Sequence, residues 1–193
     1  MDNLFSRSSL GMVFLEDISL VSDVSDWWVI LLGILFIDTV IILAARYLPQ
    51  IFGTNLNIWY DKFGLSAVLA DVLIIALGFA IARYIYTFFF RDVIGWSPLY
   101  FLILLVLVQV IHDILFYLLV IVPIPRGENA MMDVFKDYSK GGAKIIAGDA
   151  GLMIGSALTA MILKSLPPNV AAEFGLLVLY TLPYALYTNV RRR

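Results

Sequence analysis

The sequence predicts an all-α integral membrane protein, built as a bundle of five transmembrane helices or as four such helices plus one interfacial helix. Of its 193 residues, 62% are hydrophobic and 15% are charged, whereas soluble domains are nearer half apolar. The charged residues lie mostly between long apolar runs, and about 20 apolar residues suffice for a helix to cross a bilayer. The runs are about twice as long as the strands of a membrane β-barrel and lack their period of two.

The composition also excludes several classes of function. The chain has no cysteine, which rules out disulfides, thiol catalysis and cysteine-bound metals. Its net charge of -2, with no basic patch among aromatic residues, predicts no nucleic-acid partner. No phosphate-binding glycine loop, HExxH or GxSxG motif is present, so we expect no cofactor. The long apolar runs predict the lipid bilayer as the partner.

Residues 1–26 form a polar to amphipathic N-terminal segment, followed by a transmembrane domain at 27–188 and a basic C-terminal tail at 189–193. Apolar residues recur in the first segment at helical spacing, which is compatible with a helix on the membrane surface and equally with a flexible tail. Its acidic character favours an uncleaved N-terminus over a signal peptide.

The first span is predicted at residues 27–48 and ends at Pro49. We expect the polar stretch at 53–64 to be a loop. Trp59 and Tyr60 in this stretch suit the headgroup level of the membrane.

One long polar loop and one tight turn separate the later spans. Spans two to five are predicted at residues 65–90, 98–123, 143–166 and 170–188. The loop after span three has apolar residues at helical spacing, which predicts a short interfacial helix there; they are Met131, Met132, Phe135 and Tyr138. The last span is the shortest and contains Pro183, so a tilted or half-buried helix is the alternative.

The basic residues predict the orientation of the chain. If all five spans cross, one side receives nine, namely Arg46, Lys62, Arg126, Lys136, Lys140, Lys144 and the arginines at 191–193. The other side receives three, namely Arg7, Arg91 and Lys164. We therefore expect the C-terminus on the cytosolic or inner side and the N-terminus outside.

Four of the apolar runs each contain one aspartate well inside the run. These residues are Asp38, Asp71, Asp113 and Asp149. A charged carboxylate that faces lipid is costly, and all four fall at mid-membrane or in the inner half, within roughly 10 Å of depth. We therefore expect the four carboxyl groups to share one polar centre.

Other polar side chains lie close to these aspartates in sequence. Gln109 precedes Asp113 by four residues and shares its helix face, and His112 is its neighbour. An imidazole changes charge near neutral pH and can relay protons, although a lone buried histidine is more often a packing residue. Arg83 and Arg46 are candidate ion-pair partners for the aspartates, and Arg83 can instead extend toward the outer headgroups.

Three interpretations of the aspartates remain open. The leading one is a polar centre that binds or conducts protons or cations in a homo-oligomer, since clustered carboxyl groups attract cations. In the second, the aspartates are packing glue between helices of a structural membrane protein. In the third, they serve a membrane enzyme that acts on a lipid, with or without a metal. No catalytic residue is predicted, because Asp71 has no second carboxylate four residues on.

Two stretches of the chain, YDKFGLSAVLADVLIIALGFAIARY at 60–84 and the pieces VIHDILFY, MMDVFKDYSK and AGDAGLMIGSAL within 110–158, stand out. They resemble a family of small multi-pass membrane proteins encoded by large double-stranded DNA viruses. The resemblance covers about the middle half of the chain and includes Asp71, His112, Asp113 and Asp149. It implies no catalytic role. It implies a virion inner membrane or a host membrane, with virion membrane or capsid proteins as partners.

Overall fold

A computed structural model describes residues 15–52 and 54–188, and every regular element within these ranges is helical. The α-helices are α1 (Asp26–Tyr47), α2 (Pro49–Phe52), α3 (Thr54–Phe63), α4 (Leu65–Ile85), α5 (Arg91–Ile94), α6 (Pro98–Phe116), α7 (Ala130–Tyr138), α8 (Ala143–Ser165) and α9 (Pro168–Leu186). The basic tail and the first 14 residues of the N-terminal segment lie outside the described residues.

Two of the long helices continue beyond their regular α-helical part. A π-helical turn at Tyr86–Phe90 joins α4 to α5, and another at Tyr117–Ile121 extends α6. Five helical segments are therefore long and apolar enough to cross a membrane, at Asp26–Tyr47, Leu65–Ile94, Pro98–Ile121, Lys144–Ser165 and Pro168–Leu186. They match the five predicted spans to within a few residues, which indicates an integral multi-pass membrane protein.

The first helix lies at the centre of the bundle. It packs against α4, α8 and α9, and α6 completes a ring by packing against α4 and α8. The contact between α1 and α8 is close because a glycine occupies it: a Cβ atom on Gly33 would lie 2.6 Å from the backbone oxygen of Ser156. On α8, Gly155 in turn lies against Ile37 of α1. Small residues therefore set the separation of these two helices.

Residues 15–25, which we call the N-terminal strap, cross the end of the bundle where α1 begins, here the strap end. The strap is not helical, so it differs from the predicted surface helix, and its backbone is bound to the bundle, so it is not a free tail. The indole nitrogen of Trp96 donates to the carbonyl of Leu15 at 3.1 Å. The Thr87 hydroxyl donates to the carbonyl of Ser19 at 2.9 Å.

Two short helices, α3 and α7, lie at the opposite end of the bundle; we call them the cover helices and this end the cover end. The prediction of a loop at 53–64 is wrong, because Thr54–Phe63 is helical. Trp59 and Tyr60 are 4% and 2% exposed. They therefore face the protein interior and are not interfacial anchors.

The predicted short helix after span three is confirmed as α7. Its first turn is capped by Asn129, whose side-chain oxygen accepts hydrogen bonds from the backbone N–H groups of Met131 and Met132. The ring of Phe135 packs on that of Trp59, with centroids 4.8 Å apart. This contact joins the two cover helices.

We expect Gly33→Ala to lower the stability of the bundle by about 1–3 kcal/mol, because an added methyl group overpacks the contact between α1 and α8. The nearest atoms belong to the backbone of Ser156 and Ala160, so a change of rotamer cannot relieve the clash. Thermal unfolding in detergent, followed by size-exclusion chromatography, measures the change.

Gly148→Ala is the matched control. A Cβ atom at Gly148 meets no atom within 4 Å, so this variant adds the higher helix propensity of alanine, worth up to about 1 kcal/mol, without a clash and is expected to be at least as stable as the parent. Equal melting temperatures for the two variants would contradict the close approach of α1 to α8.

Candidate functional site

Three of the four intramembrane aspartates line one cavity next to the cover helices. The cavity has a volume of about 530 Å³ and is lined by Asp71 of α4, Asp113 of α6 and Asp149 of α8, among others. Asp38 of α1 does not line it and is fully buried. The fold thus brings carboxyl groups from three separate helices to a single space.

Asp38 is connected to this cavity through α3. The hydroxyl of Tyr60 lies 2.8 Å from Oδ1 of Asp38 and 3.1 Å from Oδ2 of Asp71. The indole nitrogen of Trp59 donates to the same Oδ2 at 3.0 Å. Two adjacent residues of one cover helix therefore link the carboxyl groups of α1 and α4.

The Tyr60 phenol has a single proton for two carboxyl oxygens. Burial raises the pKa of Tyr60 well above its usual value, and the charges of Asp71 and Asp38 raise it further. The phenol therefore stays protonated and donates to one carboxylate. The second contact becomes a hydrogen bond only if the other carboxyl group carries a proton, so the geometry suits one proton shared by Asp38 and Asp71.

Asp113 belongs to a second polar group on α6. Nε2 of Gln109 donates to its Oδ1 at 2.6 Å, and Nδ1 of His112 lies 3.3 Å from the same oxygen. The two neighbours thus meet, although successive side chains on a helix diverge by about 100°. Oδ2 of Asp113 and Oε1 of Gln109 are buried and have no hydrogen-bond partner within the described part of the chain.

Asp149 differs from the other three aspartates. Within residues 15–52 and 54–188, its carboxylate makes no hydrogen bond and no ion pair, and it faces the cavity. Burial raises the pKa of the Tyr138 phenol, and the charges of Asp149, Asp71 and Asp113 raise it further. Tyr138 of α7 lines the same cavity, and its phenol keeps its proton as a donor.

The remainder of the cavity lining is mainly apolar. Its aromatic and sulfur-containing members include Trp59, Phe116, Met131, Met132 and Phe135. No lysine or arginine is among the lining residues in the described ranges. The cavity therefore combines apolar walls with negative charge.

The two candidate arginines pair elsewhere. Arg83 is 1% exposed, lies 3.4 Å from Asp26 and donates to carbonyls of the strap, so it does not extend to the headgroups. Arg46 binds Asp61 at 2.6 Å and the carbonyl of Leu186. Neither guanidinium contacts any of the four intramembrane aspartates.

The half of the bundle next to the strap is closely packed. Phe79, Phe101, Leu105, Met153 and Ala157 are fully buried there in one apolar cluster. Ile75 of this cluster and Leu152, which packs against it, also line the cavity, so the cavity ends against packed apolar side chains.

The carboxyl groups do not form a metal site by themselves. In the described part of the chain, no three histidine, aspartate or glutamate side chains converge on one point where a metal ion would sit. The enzyme interpretation with a protein-bound metal therefore gains no geometric support.

The sequence analysis missed Trp59 and Tyr60 as partners of the aspartates. A signal was present, because Leu56, Trp59, Tyr60 and Phe63 follow the i, i+3, i+4, i+7 spacing of an amphipathic helix. Buried tryptophan and tyrosine need partners for their polar atoms, and the nearby intramembrane carboxyl groups are acceptors of the right kind.

No known protein family, curated protein or solved structure matches the chain.

We expect Tyr60→Phe to destabilise the protein by about 1–3 kcal/mol, because it leaves a buried carboxyl group without its donor. Asp38 has no other hydrogen-bond partner among the described residues. Tyr47→Phe is the control, since Tyr47 is 60% exposed. Unfolding in detergent measures both variants, and a Tyr60→Phe protein as stable as the control would argue against the shared hydrogen bond.

Proposed function

We propose that this protein binds protons and cations in the aspartate-lined cavity and passes them across the membrane when its closed end opens. The observation that carries the proposal is the carboxylate of Asp149. It faces the same cavity as Asp71 and Asp113 and lacks a hydrogen-bond partner within the described ranges. A carboxylate that served only to hold helices together would instead be expected to contact a donor on a neighbouring helix.

The charges around the cavity favour positively charged occupants. Three carboxyl groups line it and no lysine or arginine does within the described ranges. Carboxylates so close together repel one another, and a proton or a cation relieves that repulsion. Apolar walls strengthen the attraction, because they lower the local dielectric constant.

The closed strap end favours alternating access over a permanent channel. The apolar cluster around Phe79 and Met153 blocks the path on that side, and the strap lies beyond it. Passage through the bundle then requires a second conformation in which this end opens. Such changes take place on a timescale of microseconds or longer.

The basic residues support an orientation with the cover end on the cytosolic or inner side. Those at this end are Arg46, Lys62, Arg126, Lys136, Lys140 and Lys144. With this orientation the cavity faces the cytosol or the interior of a virion. The viral membrane and the homo-oligomer stay predictions from the sequence.

A structural membrane protein is the second candidate, and the Tyr60 contacts favour it. Asp38 and Asp71 are joined through one phenol, so these two aspartates hold α1, α3 and α4 together. This role is compatible with a viral membrane protein that shapes or anchors its bilayer. It leaves Asp113 and Asp149 unexplained, which is why cation binding is preferred.

Competition between protons and potassium tests the proposal. Replacing Trp27, Trp28 and Trp96 by Phe leaves Trp59 as the single tryptophan, which can be excited selectively over tyrosine, and its indole contacts Asp71. In nanodiscs, we expect a pH titration of its fluorescence whose midpoint falls as potassium rises, because the cation binds the deprotonated cavity. A fully competitive site shifts by about one pH unit per tenfold change in potassium.

Asp149→Asn is expected to reduce or abolish the shift with potassium, whereas Asp92→Asn, an identical change at an exposed residue of α5, leaves it intact. Proteoliposomes with an internal pH dye then measure passage across the membrane. A midpoint that does not respond to potassium, sodium or any other cation would refute cation binding in this cavity.

A further inference from the structure

We infer that the cavity binds an organic cation with an apolar body, a hydrophobic amine, more tightly than a bare inorganic ion such as potassium. The inference deepens the proposed function and rests on it, since both require that the cavity binds positive charge. It identifies the chemical class of the occupant from the size, the walls and the polar atoms of the cavity.

The volume of the cavity exceeds what an inorganic ion needs. At about 530 Å³ it falls within the range of roughly 300–1,000 Å³ that is typical of sites for small organic ligands. Such sites have mostly apolar and aromatic walls with a few polar groups that fix orientation. The lining here follows that composition, because three carboxyl groups lie among mainly aliphatic, aromatic and methionine side chains.

An inorganic cation replaces only part of its hydration shell in this cavity and therefore binds more weakly than an organic one. Calcium takes six to eight oxygen ligands, and hard cations in general require several. No three carboxylate or imidazole groups of the described residues meet closely enough to hold a metal ion. An ammonium group needs fewer partners, since its apolar substituents occupy the remaining directions.

The polar and apolar parts of the cavity lie at different depths. Asp71 and Asp149 are each six residues from the starts of α4 and α8 at the cover end, or about 9 Å along the axis. Tyr117 and Ile121 of the third span, with Met132 and other residues of α7, lie nearer that end. An amine therefore fits with its charged group at the depth of the carboxyl groups and its apolar body below the cover helices.

Gln109 fixes the position of one carboxyl group at the cavity. It lines the cavity, is 4% exposed and leaves Oε1 without a partner in the described part of the chain. Its other polar atom is committed to Asp113. Oε1 has no accessible surface and lies near Gly78 of α4, so Gln109 acts on the occupant only by holding the carboxylate of Asp113 in place.

Aromatic rings complete the match with an organic cation. Trp59, Phe116, Phe135 and Tyr138 all line the cavity. Their faces attract cations, and the attraction increases when the site is shielded from water. The same rings pack favourably on an apolar or aromatic body.

Three probes of the same shape and different charge test the inference. They are 4-phenylbutylamine, which is a cation at pH 7, neutral 4-phenylbutanol and anionic 4-phenylbutyrate. Equilibrium dialysis with the full chain in nanodiscs, corrected with empty nanodiscs, measures their binding. We expect the amine to bind at least about tenfold more tightly than the alcohol, because the amine adds one ion pair with a carboxylate. We expect the anion not to bind.

Two variants locate the binding. Asp149→Asn removes a carboxylate and is expected to weaken amine binding by about tenfold. Gly148 lines the cavity, and a Cβ atom there meets nothing within 4 Å. Gly148→Leu therefore fills part of the cavity and is expected to weaken amine binding by at least about tenfold. Asp92→Asn, far from the cavity, should change neither value.

The outcomes separate this inference from the proposed function. If potassium shifts the Trp59 titration while the amine binds no better than the alcohol, the organic occupant is refuted and cation binding stands. If potassium does not shift the titration and the amine does not bind, both the proposed function and the inference about the amine are refuted. If Gly148→Leu folds normally and binds the amine like the parent, the amine lies elsewhere and the inference is overturned.

Discussion

The hydrogen bonds of Tyr60 are the interaction on which the arrangement of the cavity depends. A carboxyl group inside an apolar bundle needs a donor, and the bilayer offers none. The phenol of Tyr60 lies within hydrogen-bond distance of both Asp38 and Asp71, and the indole of Trp59 also donates to Asp71, so a short polar helix outside the spans is held beneath α1 and α4. With α3 held in this position, α7 packs on it through Phe135 and Trp59, and the cavity acquires its cover.

At the strap end the buried side chains that need partners are positively charged. Arg83 is buried, and it is balanced by Asp26 and by carbonyl groups of the strap. Lys164 of α8 also pairs with Asp26. Backbone oxygens of the strap accept from Nη2 of Arg83 and from Nζ of Lys164, so the strap closes its end of the bundle. At the other end, three of the four aspartates line a cavity. The two ends of the bundle therefore differ, since one is closed by the strap and the other contains the cavity.

The sequence predicted the parts of this fold that depend on local pattern. The apolar runs located five helices, and the position of each aspartate within its run predicted a shared depth. The helix at α3 was missed because Asn55, Asn57, Asp61 and Lys62 give its segment the polarity of a loop. Its burial depends on acceptors in two other helices, and no single stretch of sequence contains that information.

The indole of Trp59 has two contacts of different kinds. Its nitrogen binds Asp71 inside the cavity, and its ring packs on Phe135 of the neighbouring cover helix. A change in the charge of that carboxyl group therefore alters the fit between α3 and α7. By thermodynamic reciprocity, a protein or lipid whose binding to the outer surface of these two helices depends on that fit would change the affinity of the cavity by the same factor as occupation of the cavity changes the affinity for that partner.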